Sequence, residues 1–575
     1  MQRQRKEGIY YTASMQLKLL FQKKRMDDVL NTEDTSSNSL KRVLNVRDLT
    51  LFGIAAIIGA GIFSTIGRAS FEGGPAISLL FVFVAVACVF TAVCYAQFAS
   101  MIPISGSAYT YAYVSLGEVI AWIIGWALIL EYAVSNMVVA ISWSGYFTTM
   151  LKGFGINWPD WLAIGYNTAH SAFEKVSQQG SAAFSPDSHI IKAAAIYKSA
   201  PEIFGIKCLI NVPAGTIVTL ISALTYIGIK ESKQLNNFLV YLKLGIILLV
   251  ILGGFFFIKP ENWSPFAPNG LNGILGGVAA VFFSFIGFDS ISTTAEECKN
   301  PQKDMPRAML ICLGICTILY VLIALTLTGM VSYKSLGVDD PLAYVFQKIN
   351  MNFMAGIISI GSVIAITGAI LVFQLAQPRI WMTMSRDGLL SPRFGHIHPK
   401  FKTPSYATVI AWLFVAIPAF FLDMQFVVDL TSVGTFFAFI VVCAGILILD
   451  KTGDSKKAKF KVPYISGKYV IPVSFIATMV LFFTKTDYMP ILEGRPLLIV
   501  FGLVWLYLTI ASFKFKYSLL PVIGILINLF LMTELGLSNW LMFIIWLVIG
   551  LIIYFLYGYR KSRLRYQSTS KSPEL

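Results

Sequence analysis

Gly59-Ala60-Gly61, in the middle of the apolar stretch Leu51–Gly67, is the first place where this chain offers chemistry. Each glycine costs a helix roughly 1 kcal/mol against alanine. Inside lipid, any backbone N–H or C=O freed by an interruption must find another partner. A helix that restarts after a gap turns unpaired N–H groups and its positive dipole end toward the opening, which suits an anion. A second stretch has the same character: Val281 to Asp289 is apolar, carries Gly287 in mid-run and ends on an acid. The alternative for either stretch is close helix packing over small residues. Paired interrupted helices in corresponding halves of a membrane chain are, however, the sequence mark of a solute site.

Three ionisable residues lie in apolar surroundings: Lys243, Glu131 and Asp289. A lysine in mid-span costs about 2.5–3.5 kcal/mol on insertion scales and is functional by default. Its alternative is to snorkel to the nearer surface, about 10 Å away along the helix. Glu131 fits a proton path or a structural ion pair equally. Asp289, directly after the second interruption, reads as a cap that orients local backbone. Cys312 and Cys316 share a helix face, but no acid or histidine stands beside them, so no metal site is expected. No H-E-x-x-H occurs and no histidine falls in an apolar run. No catalytic residues, and no enzyme, are expected.

The chain that must position these groups has 575 residues, 56% hydrophobic and only 13% charged, with a mean hydropathy of +0.70. That is outside the usual composition of a soluble domain. Apolar runs near the length needed for a ~30 Å hydrocarbon core recur along it. They lie at 48–70, 76–100, 117–149, 212–229, 236–258, 272–295, 308–331, 354–381, 406–422, 427–449, 469–484, 496–513, 517–533 and 538–558. The expectation is an all-α polytopic membrane protein of about fourteen spans. Its parts would be a cytoplasmic tail (1–47), a ten-helix core (48–449), four additional helices (450–558) and a basic tail (559–575). The core includes a polar external loop at 151–210, read as holding a short surface helix. Ten helices divide as five plus five, each half opening on an interrupted helix. An odd-numbered repeat puts the second half in the opposite orientation. Lysine and arginine gather in alternate connections, so the net charge of +15 is a topology signal and not a nucleic-acid surface. It puts both termini in the cytoplasm. The basic stretch Leu20–Arg25 reads as a solvated tail or a weak membrane-surface patch.

Several ordered motifs carry a resemblance. Ile58-Gly59-Ala60-Gly61-Ile62-Phe63 resembles the substrate motif of amino acid permeases in the amino acid–polyamine–organocation superfamily. Phe283-Ser284-Phe285-Ile286-Gly287-Phe288-Asp289, continuing through Ala295-Glu296-Glu297-Cys298-Lys299-Asn300-Pro301, is similar to the sixth-helix signature of its cationic amino acid transporter family. Gly125-Trp126, Glu131-Tyr132, Gln377-Pro378-Arg379 and Val433-Gly434-Thr435 fit the same pattern.

The resemblance implies a leucine-transporter-type 5+5 inverted repeat with helices 1 and 6 broken. It also implies secondary active amino acid import across the plasma (inner) membrane by alternating access. The substrate carboxylate would meet N–H groups at Gly59, Ala60, Gly61 and Ile62. The α-ammonium would meet carbonyls at Ile57, Ile58, Phe283, Ser284 and Ile286. Phe288 would lid the pocket, with Asp289 beside it in the gate. Lys243 stands where proton-coupled bacterial members carry a lysine, and its ammonium would replace the cation that bridges helices 1, 5 and 8. Proton symport is therefore expected, with no cofactor beyond the proton. The alternative is a cationic amino acid exchanger without proton coupling. The expected partners are the amino acid and the lipid bilayer, without nucleic acid. A small single-span membrane partner leaves no readable mark.

Overall fold

The computed structural model describes residues 20–24, 43–102, 104, 106–180, 189–227, 232–338, 340–401, 403–422, 424–485 and 495–565. Most of the expected tails, at 1–19, 25–42 and 566–575, fall outside the described residues. Helix α1 (Val46–Ile57) opens on a capping box. Asn45 Oδ1 accepts from the Asp48 N–H at 3.1 Å, and Asp48 Oδ2 accepts from the Asn45 N–H at 3.0 Å. Donors that a helix start leaves unpaired are met reciprocally. The helix stops at Ile58, whose ψ of 86° leaves the helical region. The chain resumes through a π-type turn at Gly61–Thr65 into α2 (Ile66–Gly73).

Helices α3 (Ile77–Met101), α4 (Ser107–Ser115) and α5 (Glu118–Gly153) follow. Then come α6 (Tyr166–Gln179), α7 (His189–Ser199) and a two-residue antiparallel pair, β1 (Glu202–Ile203) with β2 (Ile206–Lys207). Next are α8 (Val212–Ile227) and α9 (Ser232–Phe255). The second interrupted segment consists of α10 (Gly270–Gly276), α11 (Val278–Phe283), a turn, and a 3₁₀ stretch at Phe288–Glu297. Helices α12 (Pro301–Met330), α13 (Pro341–Lys348), α14 (Asn352–Arg386), α15 (Ser405–Ala419) and α16 (Met424–Thr452) complete the core region. The chain ends in α17 (Val470–Lys485), α18 (Leu497–Phe515), α19 (Leu519–Thr533) and α20 (Leu537–Ile553).

Among the described residues, nine helical stretches are long and apolar enough to cross a membrane, and four further apolar helices are 10–17 residues long. The chain is a multi-pass membrane protein. Its centre is made by α14 lying along α5, α12 along α3, and α16 against both α5 and α19.

Connections are more structured than their sequences announce. The 151–210 segment holds two helices instead of one. Ala169, Ala172 and Ile164 pack against Ala193, Ala194 and Leu209 as a separate apolar cluster. Tyr197 stacks on Phe173 with ring centroids 5.0 Å apart. The segment is pinned to the end of α15 by the Asn211 N–H, which donates to the Phe420 carbonyl at 2.8 Å. Residues 20–24 are fastened to the core, with Phe21 and Lys23 left exposed, while Arg25 lies outside the described residues. Lys24 pairs with Asp387 at 2.8 Å, its N–H donates to the Tyr113 carbonyl at 3.3 Å, and the Glu118 N–H donates to the Gln22 carbonyl at 3.1 Å.

The far end of the chain docks on the same ground. Glu118 is fully buried; it accepts from Tyr554 at 2.8 Å and from the Ser562 hydroxyl, and pairs with Arg565 at 3.1 Å. The Arg563 N–H donates to the Asp387 carbonyl at 3.1 Å.

Candidate functional site

The first interruption is two residues long. Ile58 N–H still donates to the Ile54 carbonyl at 2.9 Å, Gly59 N–H turns back to Ile57 at 3.0 Å, and Phe63 N–H to Gly59 at 3.3 Å begins the resumed helix. The N–H groups of Ala60, Gly61 and Ile62 precede that bond and are the orphan donors of a new N-terminus. The second interruption follows α11. Ser284, Phe285 and Ile286 donate to the carbonyls of Val281, Phe282 and Phe283 at 3.1, 2.9 and 3.2 Å. Gly287 then reverses the chain at φ +122°, a conformation that excludes most side chains.

The two interruptions touch. A Cβ on Gly61 would stand 2.4 Å from Ser284 Cα, and one on Gly287 would stand 2.9 Å from the Ala56 carbonyl carbon. Freed backbone and close packing are therefore two results of the same glycines. Gly59 is less confined: its Cβ would meet Ala369 Cβ at 3.2 Å.

Lys243, on α9, is fully buried and does not snorkel. Its Nζ donates to the carbonyls of Ala55 at 3.1 Å and Ile58 at 2.8 Å. Those carbonyls end α1, where the helix dipole is negative and favours a cation. Gly368 of α14 lies beside the ammonium, so that α1, α9 and α14 meet at this amine. Two tyrosines given no role from the sequence, Tyr146 of the motif Trp143-Ser144-Gly145-Tyr146 and Tyr320, brace the same gap. Tyr320, on α12, donates to the Ile57 carbonyl at 2.9 Å, and Tyr146, on α5, donates to the Phe63 carbonyl. Both sit in apolar runs where a buried phenol needs an acceptor, and that requirement is the signal that could have found them.

A small cavity of about 10 Å³, room for a single water, lies where the interruptions meet. It is lined by Ala56, Ile57, Gly59, Ala60 and Gly61 of the first interruption, Phe283 and Ile286 of the second, and Val139 and Phe373. No ionisable side chain is in that lining. Of the remaining expected substrate residues, Ile58, Ile62 and Ser284 are buried beside it, the Ser284 hydroxyl donating to the Ala280 carbonyl at 3.0 Å.

Phe288 does not line the cavity; its ring packs against Phe439 and Tyr95 with centroids 5.1 and 5.8 Å away. Asp289 Oδ2 accepts from Tyr132 at 2.9 Å. Glu131 Oε2 and Asp289 Oδ1 are buried without a hydrogen-bond partner among the described residues. At the end of the second segment Glu297 pairs with Arg379 at 2.8 Å, and its carbonyl accepts from Val43 and Leu44 at 2.9 and 3.0 Å. This cross-link ties the approach to α1 to the end of the interrupted segment. The Glu296 side chain lies outside the described residues.

Comparison with known proteins gives the family. A family model described as amino acid permease matches residues 44–513, and a model of the permease C-terminus matches 517–562. The chain is 36% identical to a methylthioribose transporter of Bacillus subtilis (strain 168), over 95% of this chain and 99% of the relative. Identity and coverage are the same for the branched-chain amino acid permease BcaP of that organism. A vacuolar cationic amino acid transporter 4 of Arabidopsis thaliana is 30% identical, over 94% of this chain and 95% of its own length.

Proposed function

Because the chain belongs to the amino acid permease family, we propose that it is a secondary active transporter that imports an amino acid across the plasma membrane by proton symport. The observation behind this reading is the contact of the Lys243 ammonium with the Ala55 and Ile58 carbonyls. Upstream of the gap the backbone is held by that charge; downstream, N–H donors are offered to a carboxylate. Loss of the proton would remove a charge-assisted interaction worth about 1.5–3 kcal/mol from the join of α1, α9 and α14. That amounts to a roughly ten- to hundredfold shift between two states. Glu131 serves the proton's route, with Phe288 and Asp289 as the gate. Alternating access runs on a 5+5 inverted repeat within fourteen spans, both termini being cytoplasmic. The proton is the coupling ion and no cofactor takes part.

The substrate carboxylate is read onto the N–H groups of Gly59, Ala60, Gly61 and Ile62. The Ile57 carbonyl already accepts from Tyr320 and Gly59, and the Ile58 carbonyl accepts from Lys243. Since the Phe283 carbonyl likewise accepts from the Ile286 N–H, the α-ammonium is left chiefly to the carbonyls of Ser284 and Ile286, with a second lone pair at Phe283. Two equally similar relatives are named for different substrates, a branched-chain amino acid and a thiosugar, so the cavity's own chemistry has to choose. Its lining holds no ionisable side chain, which favours a small neutral amino acid. The second reading, cationic amino acid exchange without proton coupling, draws on the names of the plant and animal relatives. It requires a carboxylate at the cavity.

The test is uptake of a radiolabelled amino acid panel into liposomes under an inward proton gradient. Accumulation of a neutral amino acid, abolished by a protonophore and absent from Lys243→Met, is the expected result. Uptake that ignores the gradient and needs internal amino acid would establish exchange instead.

A further inference from the structure

Outside the transport site, the connections α16–α17 and α18–α19 form one basic and aromatic patch. Across 450–468 and 513–517 the sequence holds eight lysines against two aspartates. The two connections are knitted together, and neither hangs free. Gly467 N–H donates to the Tyr517 carbonyl at 2.9 Å, Leu519 N–H to Ile465 at 2.7 Å, and the Tyr464 hydroxyl to Lys516 at 2.9 Å. The first connection is also fastened to the end of α3. Val462 N–H donates to Gln97 Oε1 at 2.8 Å, and Phe460 N–H to Ser100 Oγ at 3.2 Å.

This framework stacks cations on rings. Lys451 lies 4.2 Å from the Phe515 centroid, with Lys514 over the same ring at 5.5 Å. Lys468 lies 4.9 Å from Tyr469 and 5.2 Å from Phe513. The rings are open: Tyr469 is 65% exposed and Phe513 is 56% exposed. Beyond them α17 and α18 present bare apolar flanks, such as Val473, Ile476, Leu503 and Ile510. Orientation in a membrane requires only that connections carry cations. It does not require lysines gathered on exposed rings at the ends of two lipid-facing helices. Aromatic rings settle at headgroup level, basic residues there attract anionic headgroups, and the flanks below match acyl chains.

We propose that this patch binds an anionic phospholipid, its phosphate held by Lys451, Lys468, Lys514 and Lys516 and its acyl chains lying along α17 and α18. The experiment is native mass spectrometry of the full chain, titrated in detergent with phosphatidylglycerol, phosphatidylcholine or inorganic phosphate. Phosphatidylglycerol should be retained over phosphatidylcholine. The variant K451Q/K468Q/K514Q/K516Q should weaken that retention by more than about thirtyfold, whereas K192Q/K198Q on α7 should leave it unchanged. If the quadruple variant aggregates on size exclusion, K468Q/K514Q decides, with an expected loss of about thirtyfold at about 1 kcal/mol per lysine. Equal retention of phosphatidylcholine, or full retention by the folded lysine variants, would overturn the proposal. Displacement by millimolar inorganic phosphate would overturn it too, by reducing the patch to a free-anion site.

Discussion

Gly61→Ala is the substitution whose consequence is best fixed by geometry. Local propensity favours it, since alanine is about 1 kcal/mol better than glycine in a helix and Gly61 begins the resumed helix. The new methyl, however, would stand 2.4 Å from Ser284 Cα, 2.7 Å from its Oγ and 2.8 Å from its Cβ. The nearest atom is backbone, so no rotamer change relieves it. Reaching ordinary contact requires the two interruptions to part by about 1 Å, and overpacking of this kind costs typically about 1–3 kcal/mol. The displacement falls on the N–H donors assigned to the substrate carboxylate. If it is expressed in binding, KM rises roughly 5- to 150-fold. Gly59→Ala is the matched control, because its methyl meets Ala369 Cβ at 3.2 Å and Val139 Cγ2 at 3.7 Å. A shift of a few tenths of an ångström accommodates that, and KM should change by no more than about threefold. The assay is initial uptake rate against concentration in proteoliposomes, with thermal unfolding to show that both variants fold. A Gly61→Ala protein of wild-type KM, or a Gly59→Ala protein more damaged than it, would refute the reasoning.

Tyr320→Phe removes one of the two donors to the Ile57 carbonyl and should cost about 0.5–1.5 kcal/mol. The outcome expected is a lower Tm together with slower uptake, and no change in either measurement would show that the phenol does not hold the gap. Arg495 pairs with Glu534, just beyond α19, at 2.8 Å. Burial pushes the Glu534 carboxyl above its usual range against the pull of Arg495. A carboxyl raised in the folded state binds protons more tightly there than when unfolded, so stability falls as pH climbs from the ordinary carboxylate range toward the raised value. Arg495→Gln raises that value further, so its Tm deficit should be larger at pH 8 than at pH 5; a pH-independent deficit would contradict this. Arg565→Ala removes the cation from the buried Glu118 carboxylate but leaves the hydroxyls of Tyr113, Tyr554 and Ser562 donating to it, a loss of about 1.5–3 kcal/mol. Limited proteolysis should then cut after Tyr554 at low protease, which the parent chain resists.

The interruptions were legible because glycine in an apolar run breaks two rules at once, helix propensity and the need to satisfy backbone in lipid. Lys243 was legible for a similar reason, its charge having no ordinary place in α9. That the amine meets carbonyls beside the α1 break came from the resemblance, while the particular acceptors, Ala55 and Ile58, are fixed only when α9 lies across the end of α1. Tyr320 and Tyr146 were hidden because a phenol in an apolar span reads like any core aromatic until its acceptor is known. Short elements escaped for a different cause. Helices α4 and α13 have nine and eight residues, below the length at which periodicity stands out, and they hold through tertiary packing. The α6–α7 pair did carry a pattern, Ala169-Phe173-Val176 facing Ile190-Ala193-Ala194-Tyr197, but its alanines are too small to announce a buried face.

The seating of both ends of the chain beside Glu118 also has a consequence for biogenesis. Glu118 belongs to an early part of the polypeptide, while Tyr554, Ser562 and Arg565 are made more than four hundred residues later. Through most of synthesis the only described partner of this carboxylate already made is Tyr113 of α4, whose hydroxyl donates to Glu118 at 2.9 Å. The corner around Glu118 can therefore close only after the last described helix has been made, so that the final residues of the fold complete one of its earliest parts.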